Sequence, residues 1–260
     1  METRPGSLPL RFPDWRLGDA EPAGRLLEQG FVLLAPERLA SLAGLAAPVL
    51  QSLHAAWAEL PPDPHLRDGG RYRHRRHASL RLDAGGAIAE VVDRPHWQPV
   101  DYNALHGGIE RRFAPVAADW LASPAFAALL VGLYRLCAMA GAGGGAAVPD
   151  HVEVHQFRIT TADGIGRPTP EGAHRDGVDW VVVLLMDRIG VRGGETRVFA
   201  ADGPAGIRFT MQEPLTALVL DDHRVIHETT PLQPEPGAVH SHRDTLVITF
   251  RAGGFLDPVG

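Results

Sequence analysis

Two short stretches hold residue types that can bind a metal and use it for oxidative chemistry. The first is Glu171-Gly-Ala-His174-Arg-Asp176-Gly177, which runs straight into a Val- and Leu-rich apolar segment, 178–186. An imidazole and a carboxylate two residues apart can fill adjacent positions on one divalent ion. A second histidine would complete the facial set of two His and one carboxylate that holds Fe(II) and leaves three coordination positions open. The second stretch is Leu215-Thr-Ala-Leu-Val-Leu-Asp-Asp-His223-Arg-Val-Ile-His227-Glu-Thr-Thr230. It reads as a hairpin with its turn at 221–224, so that His223 sits in the turn and His227 inside the second strand. A rigid strand places a ligand more firmly than a turn does, and His227 is the expected third ligand. A lone histidine at a strand edge is more often simply hydrogen-bonded. His174, Asp176 and His227 together, in a β-rich half, point to a metal.

Further candidates are cationic. In His242-Arg243-Asp244-Thr245-Leu-Val-Ile-Thr-Phe250, strand alternation puts Arg243 and Thr245 on one face. A guanidinium grips a carboxylate with two parallel hydrogen bonds, and a hydroxyl two residues on can add another. The run Asp68-Gly-Gly-Arg71-Tyr-Arg73-His-Arg75-Arg76-His77 is densely basic. Its plain reading is a solvated face; its sharper reading is an anion-binding strand with Arg71, Arg73 and Arg75 on one side. Gln98-Pro-Val-Asp-Tyr102-Asn103 lies between Pro95 and Gly107-Gly108. Such a polar loop either only makes turns or folds over a pocket mouth and reads a substrate.

The elements that must position these groups fall into two halves. Residues 21–30 read as a short helix with proline early and glycine just past its end, and 31–34 as a strand. A longer helix opens at Pro36, with Leu39, Leu42, Leu45 and Leu53 on its apolar side, kinked at Pro48 and stopped before Pro61-Pro62. Residues 109–121 look helical despite Pro115. Ser123-Pro124 caps an apolar helix running to about 139, and 141–148 is a linker. Beyond it, strand candidates crowd together: 152–160, 174–186 (as one strand or two), 195–200, 207–211, 215–220, 224–229 and 245–251. In a strand through 174–186, His174 and Asp176 would face the same way. Short strands at this spacing predict a mainly β fold with flanking helices, α+β: a sandwich, barrel or jelly roll over 151–260, supported by a mostly helical region over 1–150, in one integrated domain.

Composition narrows the partners. The 260 residues are 45% hydrophobic and 22% charged, enough for a full core, and the net charge of −6 gives no bulk case for nucleic acid or an anionic membrane. The single cysteine, Cys137, rules out an intrachain disulfide framework and fits a reducing cytoplasm. Residues 1–15 lack the apolar core of a signal peptide. The most apolar run, 125–147, is interrupted by Arg135 and dissolves into glycines, so it reads as a core helix and not a membrane span.

His174-x-Asp176, then His227, then Arg243-x-Thr245 resembles the Fe(II)/2-oxoglutarate-dependent dioxygenases. Arg71-Tyr72-Arg73, the 98–103 loop, His155-Gln156-Phe157-Arg158 and Gly193-Gly-Glu-Thr196 extend the likeness over roughly 68–250. The pattern is similar to the bacterial branch that hydroxylates free aliphatic L-amino acids, typified by L-isoleucine dioxygenase. The resemblance implies a double-stranded β-helix, the cupin-like jelly roll, with N-terminal helices packed on one side. It implies that His174, Asp176 and His227 hold Fe(II), that 2-oxoglutarate chelates the iron and meets Arg243 and Thr245 with its far carboxylate, and that O2 is the oxidant. A carboxylate at 176 implies hydroxylation (or sulfoxidation) and not halogenation. The substrate it implies is a small-molecule amino acid. Its carboxylate would need Arg71, Arg73 or Arg158, its ammonium Glu153 or Asp179, and Gln98 or Asn103 could read either end. A homodimer stays open. Two other readings compete: a cupin-type metal enzyme that does not use 2-oxoglutarate, and a non-catalytic ligand-binding jelly roll. The Asp at 176 and the late Arg243 argue against the first, since such enzymes usually show three or four metal histidines.

Overall fold

Residues 21–83, 87–91 and 94–258 are described by the structure, a computed structural model. The amino-terminal stretch read above as lacking a signal peptide lies outside them. The described chain opens with α1 (Pro22–Gln29), β1 (Phe31–Leu34), α2 (Pro36–Ala43), α3 (Ala47–Gln51) and a 3-10 turn, Ser52–Trp57. Both α1 and α2 begin with proline and stop at a left-handed glycine, Gly30 and Gly44. Pro48 does not kink one long helix. Gly44 ends α2, the chain bends by 91°, and Pro48 takes its place in the first turn of α3, where its missing N–H is harmless.

There follow β2 (Arg73–Leu82), β3 (Ile88–Val91), α4 (Ala118–Leu121) and α5 (Pro124–Gly143), and then strands alone. These are β4 (His151–Thr160), β5 (Trp180–Ile189), β6 (Val191–Gly193), β7 (Thr196–Ala200), β8 (Gly206–Phe209), β9 (Ala217–Asp221), β10 (Val225–Thr229), β11 (Leu232–Pro234) and β12 (His242–Arg251). The helix expected over 109–121 shrinks to the four residues of α4. Upstream, Arg111 bridges to His96 and Pro115 to His77, and the Ala114 carbonyl accepts the His77 N–H. Pro115 has no N–H to continue a helix, and the sheet edge takes the neighbouring groups instead.

Seven strands form one antiparallel sheet in the order β1-β9-β5-β12-β4-β2-β3; β10-β7-β8 and β11-β6 form two smaller sheets. Alternation along β5 explains the layers. Trp180, Val182, Leu184 and Met186 point to the helices, where they join Leu26, Leu39, Trp57, Phe126 and Leu130 in the larger core. Val181 and Leu185 point the other way and meet Val198 and Val225 from the facing sheet. The result is a double-stranded β-helix with its helices on one side.

Helix α5 is the one described helix long and apolar enough to cross a membrane, and Phe126, Leu129, Leu130 and Leu133 of it are buried in the core. Ser123 caps it, its hydroxyl accepting the Phe126 N–H at 3.3 Å. Gly132 lets α2 come close: a side chain there would start 2.5 Å from the Leu42 carbonyl oxygen.

Candidate active site

His174 and Asp176 stand in the loop that leads into β5 and not within a strand, because β5 begins only at Trp180. One isolated bridge fixes the first of them: the N–H groups of His174 and His227 each donate to the other's carbonyl at 3.0 Å. β10 thus carries His227 and holds His174 beside it, with the two rings 4.6 Å apart. The loop beyond is tied down by Asp222, whose carboxylate accepts the N–H groups of Asp176, Gly177 and Val178 at 3.0, 2.7 and 3.1 Å. Burial, and then the charge of Asp176, push the acid of Asp222 up to about 7. Gly177 turns at φ 80°, and the ring of Tyr102 lies 2.5 Å from where a Cβ would be.

The donor set fits a divalent ion. His174 Nε2 is 3.9 Å from Asp176 Oδ1 and His227 Nε2 is 3.9 Å from Asp176 Oδ2. The ligating atoms of the three lie within 4.8 Å of one another. His174 Nδ1 donates to the Gly172 carbonyl at 3.0 Å, which leaves Nε2 with a lone pair facing the others. Burial, and then His174, hold His227 well below the usual imidazole range, so it is neutral and able to ligate. For His174 burial pulls down, but the carboxylates of Asp176 and Glu171 outweigh it and the pKa is raised. His223 turns elsewhere, to Asp179 at 2.9 Å.

These residues open onto a chamber of about 940 Å³, its mouth included. Arg243 and Thr245 line it from β12. Arg243 is 3% exposed, and its Nε and one terminal nitrogen are buried without a partner. Burial, then the neighbouring Arg188, lower its pKa to about 10, and it remains a cation at neutral pH. The Gly193-Gly194 turn makes room for it: a side chain at Gly194 would meet Arg188 at 2.9 Å and Arg243 at 3.9 Å. An orphaned, buried guanidinium fits the far carboxylate of an organic acid chelated to the metal.

A second wall comes from β2, β4 and the 94–111 segment. Arg73 donates to Asp63 at 2.7 Å, Arg75 to His155 Nδ1 at 2.7 Å, and Arg111 to Gln98 Oε1 at 2.8 Å. Each of the three keeps a buried nitrogen without a partner. Arg75 lies between the rings of Phe113 and Phe157, 3.7 and 4.4 Å from their centroids. Burial, then Arg73, depress both Arg75 and Arg111, the latter to about 10. Gln98 in turn donates to Asp176 Oδ1 at 3.1 Å, joining this wall to the candidate metal face. Glu153 accepts from His77 at 3.1 Å and from His96 at 3.0 Å. Burial opposes its charge, yet His96 and His77 hold it well below the usual carboxylate range. Among the described residues, the lining contains no cysteine, methionine, tryptophan or tyrosine.

Of the expected substrate contacts, Arg73, Gln98, Asn103 and Glu153 line the chamber. Arg71 does not: it precedes β2, its side chain is 85% exposed, and it sits 3.7 Å from Asp163. Arg158 faces outward from β4 and grips Asp244 with two hydrogen bonds, at 2.8 and 2.6 Å. Asp179 is taken by His223 and the Ala252 N–H. Alternation along β2 signalled Arg75. His96 and Arg111 carried no signal, because the segments holding them have no periodicity and one was read as helix.

A jelly roll that gathers two histidines and a carboxylate, with a buried unpaired arginine in the same chamber, defines a mononuclear iron enzyme that takes an organic-acid cosubstrate. Residues 54–249 match the 2OG-Fe dioxygenase family, and the chain belongs to that family. Its cofactors are Fe(II), 2-oxoglutarate and O2. A bsmA homolog from Methylobium petroleophilum PM1 is 51% identical, with a TM-score of 0.84 over 92% of this chain and 94% of that one. IDO from Bacillus thuringiensis shares the fold at 18% identity, TM-score 0.70, covering 91% of this chain and 98% of that one. The Fe(II)/(alpha)ketoglutarate-dependent dioxygenase TqaL does so at 19% identity, TM-score 0.63, over 88% and 84%. No curated protein matches the chain.

Proposed function

We propose that the protein oxidises the side chain of a free aliphatic L-amino acid, by hydroxylation or at a thioether sulfur, in the cytoplasm. One O2 would be shared out: one atom enters the substrate, the other enters succinate formed from 2-oxoglutarate with loss of CO2. His174, Asp176 and His227 would hold the iron, and Arg243 with Thr245 the far carboxylate of 2-oxoglutarate. The bound iron and cosubstrate supply the oxidising power; the chain supplies position and a closed chamber.

The observation that carries the amino-acid reading is the second wall. Three guanidiniums are buried here: Arg73 and Arg75 share the carboxylate of Asp63, whereas Arg111 donates to the uncharged Gln98. A buried cation without a counterion is costly, so this wall suits a substrate that brings a carboxylate. Gln98 and Asn103 close the same side, Asn103 donating to Gln98 at 3.3 Å. Val178, Leu256 and Phe157 give an aliphatic side chain apolar neighbours.

The test is a panel of the proteinogenic amino acids, with succinate and oxidised product both quantified. One or a few aliphatic or thioether members should drive coupled succinate formation, and their N-acetyl and amide derivatives should not. Equal turnover of blocked and free forms, or no amino acid active at all, would refute the reading.

A further inference from the structure

We propose that Glu171 is the specificity residue that accepts the substrate's ammonium group, a role that rests on the amino-acid reading above. Among the described residues, three carboxylates line the chamber: Glu153, Glu171 and Asp176. Asp176 belongs to the metal face. Glu153 has both oxygens engaged by His77 and His96. Glu171 differs from both. Its side chain is only 9% exposed, and Oε2 is buried without a partner. The other oxygen lies 3.7 Å from His174 Nε2, beyond hydrogen-bond reach. That nitrogen has a lone pair aimed at the metal and no proton to give, so Glu171 keeps no donor once an ion is bound.

The cations of the chamber do not satisfy it either. Arg73, Arg75 and Arg111 give their hydrogen bonds to Asp63, His155 and Gln98. One chamber therefore holds guanidinium nitrogens lacking an acceptor and a carboxylate oxygen lacking a donor; Arg111 is near enough to feel the charge of Glu171, yet its hydrogen bond goes to Gln98. Each alone is costly in a buried site. A zwitterion answers both at once: its carboxylate meets the arginine wall and its ammonium meets Glu171. Because Glu171 lies beside His174, this contact would bring the carbons next to the amine to the metal end of the chamber.

The experiment uses the Mn(II)·2-oxoglutarate enzyme, which binds but does not turn over. Wild type and Glu171→Gln are titrated calorimetrically with an amino acid that wild type oxidises, and with the carboxylic acid of the same carbon skeleton lacking the amine. A charge-assisted hydrogen bond lost with little change in shape should weaken amino-acid binding about 10- to 100-fold. Binding of the des-amino acid should not change, and Glu171→Asp should recover part of the loss. Affinity for Mn(II) and thermal stability should stay at the wild-type values. Equal losses for both ligands would overturn the proposal, and so would unchanged amino-acid binding. Weakened Mn(II) binding would overturn it too, by moving Glu171 to the metal shell. If wild type binds no free amino acid, the functional reading falls along with this one; if wild type binds and Glu171→Gln binds equally well, only this one falls.

Discussion

A facial metal site has no spare protein ligand. His174→Ala, Asp176→Ala and His227→Ala should each abolish iron retention and turnover while leaving the circular dichroism spectrum intact; metal content by mass spectrometry decides. His223→Ala should keep its iron, since that ring is tied to Asp179 outside the triad. Arg243→Ala would leave a buried carboxylate of 2-oxoglutarate unpaired. A loss of about 2–5 kcal/mol is typical of truncated buried charge pairs, so the KM for 2-oxoglutarate should rise at least tenfold, as steady-state succinate assays would show. Arg243→Lys should restore only part of this, because an ammonium cannot make the two-pronged contact. Arg158 is no substitute: its guanidinium is already gripped by Asp244.

At the scale of elements, the candidate metal face depends on a loop and not on strand geometry. Asp222, just past β9, holds that loop through three backbone N–H groups. Asp222→Ala should therefore weaken metal binding at least tenfold without removing a ligand, measured by Co(II) titration. Gly177→Ala should destabilise the protein by more than about 1 kcal/mol in urea unfolding, for two reasons: a positive φ that alanine resists, and a Cβ driven into Tyr102. Residue type and spacing singled out these candidate ligands, but not how they are held. Strand alternation was the reason given for His174 and Asp176 facing together, whereas a single bridge to His227 and the Asp222 clamp do the holding. Where alternation was real, as on β2, β5 and β12, it placed Arg73, Arg75, Arg243 and Thr245 on the chamber side and sorted the two cores. It was silent on β6 and β11, three residues each and too short for any period, on β3, and on the 94–117 segment, whose order comes from bridges to distant strands.

For the molecule as a whole, the helices and the large sheet share one buried cluster, from Leu26 and Phe126 to Ile248 and Phe250. The proposal of one integrated domain follows, and thermal and urea melts followed by fluorescence and by circular dichroism should coincide in a single transition. Phe126→Ala should lower it by about 3–5 kcal/mol. Stability should also depend on pH through the buried imidazoles. Burial is the leading cause that lowers His96 and His106 to about 4, and it holds His155 and His227 well below the usual value of 6.5. The unfolded chain then takes up protons first, so the contribution is complete above about pH 6.5 and is lost as pH falls toward 4. His174 and Asp222, which are both raised, oppose this slope. For His96 alone the loss between pH 7 and pH 5 is on the order of 2 kcal/mol, and urea midpoints of the metal-free chain should fall accordingly.

The same chamber must also survive its own chemistry. Whenever oxygen is activated without a substrate in reach, the oxidant attacks whatever lies nearest, and sulfur, indole and phenol react first. None of these lines the chamber in the described residues. The one thiol, Cys137, is buried in the helical core on the far side of the large sheet, where burial keeps it protonated. What the oxidant then meets are imidazoles, Phe157 and aliphatic side chains, and idle cycling should be slow to inactivate the enzyme. When it does so, peptide mapping should find the added oxygen on residues of this lining before any methionine.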